Sequence, residues 1–189
     1  YGAHETFFRL KGEVEAIFTA LNLAKAEYEA EANHPAFHPG RCAKVSMGGK
    51  VLGYLGQIHP LVAKNYDVTN RMYLARLDFT ALLALEHTEI TYKPLPKYPS
   101  VARDIAVVCD ADLPVGELEA CIAKSGKGLV KEIALFDIYT GAPIPAGKKS
   151  VAFSLKLRSE DHTLTDAESD EDVKAILAAL EQEKGAVLR

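Results

Sequence analysis

Eight side chains in the second half of the chain are of the types that hold nucleic acid: Lys97, Tyr98, Arg103, Tyr139, Lys148, Lys149, Lys156 and Arg158. Cations neutralise phosphates, and tyrosine rings offer flat faces on which unstacked bases can rest. Taken singly, each is more often a solvated surface residue. As a set they gather at strand starts and along one sheet face predicted below. Exposed cations occur on every protein surface, so residue types alone leave RNA and water as equal candidates for what this face meets.

Other chemistries find less support. In NHPAFHPGRC, His34, His38 and Cys42 recur at regular spacing, as metal ligands would. Pro35 and Pro39 prevent the helix that would place them on one face, and no second ligand pair follows, so they read as turn and strand-entry residues. Arg41 could bind an anion or pair with a carboxylate, and the structural role ranks ahead of the other. GxSxG, HExxH and GxxxxGK[ST] are all missing. Asp104 and Asp137 flank apolar strands and read as salt-bridge or turn partners rather than acid-base groups. The expectation is no catalytic residue and no metal ligand.

Charge and composition narrow the class. The formal net charge is -4, which argues against bulk electrostatic capture of nucleic acid. Up to Lys93 there are ten basic and ten acidic residues; after it there are twelve and sixteen, with the acids concentrated in DAESDEDVK. Any RNA contact must therefore be local and matched in shape. Cys42, Cys109 and Cys121 show no CxxC spacing and fit a reducing, cytosolic setting. No apolar run is long enough to cross a bilayer and no signal peptide is visible. The chain starts at Tyr1 rather than methionine, which suggests a piece of something longer.

The elements that must position these residues are legible from periodicity. In SVAFSLKLRS, Val151, Phe153, Leu155 and Leu157 alternate with Ala152, Ser154, Lys156 and Arg158, the signature of a half-buried strand. RDIAVVCD and LVKEIALFDIY read as two more strands and AVLR as a fourth at an edge. PVGELEACIAKSG is a helix burying Val115, Leu118, Cys121 and Ile122. A second helix opens on the capping box Thr165-Asp-Ala-Glu168, buries Val173, Ile176, Leu177 and Leu180, and stops near Gly185. The order β-α-β-β-α-β is the ferredoxin-like pattern, with both helices on one sheet face and the other face bare.

The first half is α+β as well. FFRLKGEVEAIFTALNL reads as an amphipathic helix with Leu10, Val14, Ile17, Phe18 and Leu21 on its apolar stripe. CAKVSM and KVLGYLGQIH form a hairpin across Gly48-Gly49. A short helix starts at Pro60, MYLARLDF is a further strand, and TALLAL a helical scrap. The proline-rich EITYKPLPKYPS is a linker, which places the domains at 1–91 and 92–189.

Four stretches make the chain specific: KYPSVARDIAVV, LFDIYTG, IPAGKKSVAFSLKLRSEDHTLTD and GAVLR. Together they resemble the ferredoxin-fold anticodon-binding domain of the bacterial phenylalanyl-tRNA synthetase β subunit. FFRLKGEVEAIFTALNL, HPAFHPGRCAKV, LGYLGQIHP and LARLDFTALL resemble the end of the catalytic-like domain of the same subunit. The resemblance implies a partial class II synthetase-like antiparallel α+β domain followed by a ferredoxin-like one. It also implies a C-terminal fragment lacking the editing domain. Such a fragment would take part in charging phenylalanine tRNA within an α2β2 heterotetramer of the cytoplasm. The full enzyme would use ATP and magnesium, with the α subunit holding the active site and this fragment binding no cofactor. The catalytic-like half would serve assembly, and the second half the tRNA anticodon.

Two departures from the family pattern bear on affinity. Thr140 follows Tyr139 where the family commonly carries arginine, which removes one cation. AESDEDVK is too acidic to lie beside a phosphate backbone, so that helix is expected to face away from RNA. The alternative is a ferredoxin-like regulatory module that binds a small molecule such as an amino acid.

Overall fold

The computed structural model describes residues 6–87, 89, 91–92 and 94–189. The chain divides into two compact units, Tyr1–Tyr92 and Lys93–Arg189, each with its own apolar core.

The first unit is a four-stranded antiparallel sheet with helices. Helix α1 (Phe7–Ala20) starts at Thr6, whose hydroxyl accepts the amide hydrogen of Arg9. Strands β1 (Glu27–Ala30), β2 (Phe37–Met47), β3 (Lys50–Ile58) and β4 (Tyr73–Leu77) lie in the order β1-β2-β3-β4. Helices α2 (Pro60–Asn65) and α3 (Phe79–Leu83) flank β4 in the chain. Pro60 opens α2, and the Asp78 carboxylate caps α3 by accepting the Ala81 amide at 3.0 Å. Gly48 and Gly49 both have positive φ and close the β2–β3 hairpin, as a two-residue turn of this hand requires.

Its core joins Val14 and Phe18 of α1 to Val45, Met47, Leu52, Leu55 and Leu82. The apolar stripe of α1 is narrower than periodicity suggests. Val14 and Phe18 are sealed, but Ile17 and Leu21 are exposed, because the row that meets the core runs through Phe7, Leu10, Val14 and Phe18 and the other two lie at its flank. Strand β1 is an element that periodicity does not reveal: in Glu-Tyr-Glu-Ala one apolar ring stands between charges. Strand β2 also begins at Phe37, before the turn expected from its prolines, with a register irregularity between Phe37 and Cys42.

The second unit contains β5 (Val101–Asp110), α4 (Val115–Ser125), β6 (Val130–Tyr139), β7 (Lys148–Leu157), α5 (Asp166–Lys184) and β8 (Val187–Leu188). Its antiparallel sheet runs β6-β7-β5-β8, the ferredoxin-like topology. Val151, Phe153, Leu155 and Leu157 are wholly buried with Ile105, Val107 and Cys109 of β5 against Leu118, Cys121 and Ile122 of α4 and Ile176 and Leu180 of α5. Each such aliphatic or aromatic side chain stabilises the fold by about 1.5–3 kcal/mol. In α5, Val173 and Leu177 are only half-buried, while Ser169 and Asp172 are fully buried. Ser169 meets its need locally, donating its hydroxyl hydrogen to the Thr165 carbonyl at 3.0 Å.

The capping box of α5 is complete. The Thr165 amide donates to Glu168 at 2.9 Å, the Glu168 amide donates to the Thr165 hydroxyl at 3.3 Å, and His162 Nε2 lies 2.9 Å from the same carboxylate. At the far end Gly185 adopts φ 61°, where a side chain is disfavoured, and returns its amide to Glu181.

Two outcomes test these assignments. Gly53 has φ 152°, and a Cβ there would run into the Arg76 carbonyl across the ladder. Gly53→Ala should therefore cost about 1–3 kcal/mol, read as a lower urea midpoint of the first unit; an unchanged midpoint contradicts it. The bonds from the Thr165 amide and hydroxyl, and then from His162, pull the Glu168 carboxyl down from 4.5 to about 2. Because the folded value is depressed, its contribution is complete above pH 4.5 and disappears as the pH falls through 2. Carbon NMR of the Glu168 carboxyl should show that titration, and Glu168→Gln should remove this part of the acid destabilisation. A titration near 4.5 would contradict it.

Candidate nucleic-acid interface

Strand parity decides which side chains share a face. On β5 the odd residues Ile105, Val107 and Cys109 turn to the helices, so Ala102, Asp104, Ala106, Val108 and Asp110 lie on the opposite face. The β5–β7 register pairs these with Lys156, Ser154, Ala152, Ser150 and Lys148. On β6, Glu132, Ala134, Asp137 and Tyr139 oppose Lys156, Ser154, Ala152 and Ser150. Both helices supply the other face, so within this unit the even face carries no helix. Its centre, built of Ala102, Ala106, Ala134, Ala152 and Ser154, is flat.

Polar groups ring that centre. Lys156 Nζ meets Glu132 at 2.6 Å and Lys148 Nζ meets Asp110 at 2.7 Å, both pairs open to water. Exposed pairs of this kind are worth about 0–1 kcal/mol, so a phosphate can displace the carboxylate at little cost. Arg158 is half-buried; its amide donates to the Leu129 carbonyl, and its guanidinium makes no ion pair among the described residues. Lys97 is exposed and Tyr98 half-buried, just ahead of β5. The Tyr139 hydroxyl donates to the Ala142 carbonyl at 2.8 Å, which fixes the ring.

Arg189 joins this face although its side chain drew no attention in the sequence. Its amide donates to the Ala106 carbonyl, and its guanidinium reaches to 5.8 Å from the Tyr139 ring centroid, across β5 and β7. The cation and ring attract each other, and both keep surface free for a base.

Two predicted residues sit elsewhere. Arg103 has the parity of Ile105 and therefore lies on the helix side, where it donates to Asp166 at 2.7 Å and to Asp170 at 3.1 Å of α5. Lys149 has the parity of Val151, and its ammonium donates to the Ala111 and Leu113 carbonyls at 2.9 and 2.6 Å, holding the loop that leads into α4. Neither belongs to the even face. The acidic start of α5 lies on that same helix side, away from the even face.

In the first unit the histidines have local work. The ring of His34 packs against Phe37 and Tyr54, with centroids 4.8 and 4.6 Å away, and its Nδ1 accepts the Ala36 amide. Cys42 is buried, and burial followed by the charge of Glu31 pushes its thiol up. No group of three or more metal-ligating side chains occurs among the described residues.

Comparison with known proteins gives a consistent result for both units. Residues 96–189 match the ferredoxin-fold anticodon binding domain, and residues 2–79 match the phenylalanyl tRNA synthetase beta chain CLM domain. The phenylalanine–tRNA ligase beta subunit of Geobacillus kaustophilus (strain HTA426) is 45% identical over 184 residues, which are 97% of this chain and 23% of that protein. The subunits of Clostridium tetani (strain Massachusetts / E88) and Bacillus subtilis (strain 168) are 42% and 41% identical over 183 residues, with the same shares covered. The chain thus spans about 23% of the length of these relatives.

The placement of Arg103 has a measurable consequence. Arg103→Ala should lower the melting temperature of the second unit and leave any RNA affinity unchanged. Lost affinity with an unchanged melting temperature would return Arg103 to the interface.

Proposed function

The chain belongs to the phenylalanine–tRNA ligase beta-subunit family, and from that premise we propose that its second unit binds the anticodon end of phenylalanine tRNA. The single observation that supports this most is the bare, flat even face of the sheet, edged by Lys148, Lys156, Arg158 and the Tyr139–Arg189 pair. Unpaired bases of a loop can be splayed out and stacked on an aromatic ring, which a base-paired helix cannot offer. Small side chains let the base planes approach the sheet, while Lys156 and Arg158 meet phosphates. Lys97 and Tyr98, just ahead of β5 in the chain, are proposed to join this surface.

Asp104 and Asp137 lie on this face without an ion pair among the described residues. Carboxylates repel phosphate but accept hydrogen bonds from base amino groups. Their role is selection of bases rather than affinity.

The first unit is proposed to join the α subunit, in an assembly of two α and two β chains that charges phenylalanine tRNA in the cytoplasm. Exposed Phe8, Phe79, Leu83, Leu61 and Tyr66 supply apolar surface for such a contact. ATP and magnesium belong to the reaction of the whole enzyme. The described residues offer no ligand cluster for the metal, so no chemical step is assigned to this chain. No observation favours the amino-acid-binding alternative.

Titration of the chain with phenylalanine tRNA at low salt tests the reading. Binding should be weak, tighter than to a poly-A control, and shallow in its salt dependence, since the slope scales with the few phosphates neutralised. Arg158→Ala should weaken it with the melting temperature unchanged. Equal affinity for both RNAs would overturn specific recognition, and a matching fall in melting temperature would make Arg158 structural.

A further inference from the structure

The first unit holds a cavity of about 450 Å³ bordered by β2, the end of β3 and the segment between α2 and β4. Arg41 and Arg71 line it together with His38, Gln57, Thr69 and Asn70, and no carboxylate is among its lining residues. Arg41 is positioned by a neutral partner: its Nη1 donates to Oε1 of the buried Gln57 at 2.6 Å. An amide directs a guanidinium without cancelling its charge. Neither arginine makes an ion pair among the described residues. His38 accepts the Gly40 amide on Nδ1 at 3.1 Å, which leaves the proton of the neutral ring on Nε2 and makes that edge a donor. Positive charge without a carboxylate, in a concavity rich in donors, is what an anion requires.

We propose that this cavity binds the phosphate group of a small molecule. Two uncompensated guanidinium groups match a phosphate monoester, which carries about -1.5 to -2 charge at pH 7. A carboxylate would leave one of them unmatched. Thr69 and Asn70, also in the lining, carry hydroxyl and amide groups of the kinds that donate to a group with three terminal oxygens. The volume also suits a small molecule, since about 450 Å³ falls within the range of small-ligand sites. This site lies in the first unit and is independent of the RNA face.

The test is a titration of the intact chain with inorganic phosphate at low ionic strength, followed by phosphorus NMR. Saturable binding at one site is expected, and Arg41→Gln and Arg71→Gln should each weaken it by about tenfold or more, as loss of a charge-assisted hydrogen bond does. Arg71 is exposed, so its variant should keep the melting temperature of the parent and isolate the loss of binding. Acetate should compete far less well than phosphate. Non-saturable binding, full affinity in the Arg71→Gln variant, or acetate competing equally would overturn the proposal. Displacement by single-stranded RNA at a lower phosphate concentration would overturn the small-molecule assignment.

Discussion

Successive side chains of a strand point to opposite faces, and in the second unit that rule is enforced by burial. Val151, Phe153, Leu155 and Leu157 are completely removed from water on one side of β7. A slip of one residue would expose all four and drive Lys156 into the core, at a cost no surface contact could offset. The pairing with β5 and β6 is therefore set by the apolar side. Where Ala152, Ser154 and Lys156 point is a by-product of that burial.

The even face is consequently assembled from residues free of packing duty. Its cations Lys148, Lys156, Arg158 and Arg189 are balanced by Asp104, Asp110, Glu132 and Asp137, so the surface is close to neutral. Recognition on such a face works through shape, stacking and a few exchangeable ion pairs. Affinity of this face alone for the anticodon in the proposed complex would then be modest.

Most of the second unit was legible because its strands alternate cleanly and its second helix carries a full capping box. Parity was legible too: Arg103 stands two residues from Ile105, and Lys149 two from Val151, so the same period that placed Lys156 on the bare face puts both on the other side. Cross-strand partners were not legible, since Glu132 meets Lys156 only once the register of β6 is known. Arg189 was missed because a terminal side chain has no periodic context, and β1 because Glu27 and Glu29 hide a strand held by backbone pairing with β2. In the first unit, Arg41 was singled out in sequence, but its neutral partner Gln57 lies on a neighbouring strand and appears only in the fold.

The two units thus apply one device differently. In each, a buried apolar layer leaves polar groups that the core does not need: a flat face in one, a donor-lined concavity in the other. The flat face is the proposed seat of RNA binding. Amide NMR of the chain, mixed with an RNA stem–loop carrying the phenylalanine anticodon, tests it most directly. Shifts should concentrate at Tyr139, Ala152, Ser154, Lys156 and Arg189, with the outer surfaces of α4 and α5 silent. Shifts concentrated on those helices, with the even face unperturbed, would contradict it.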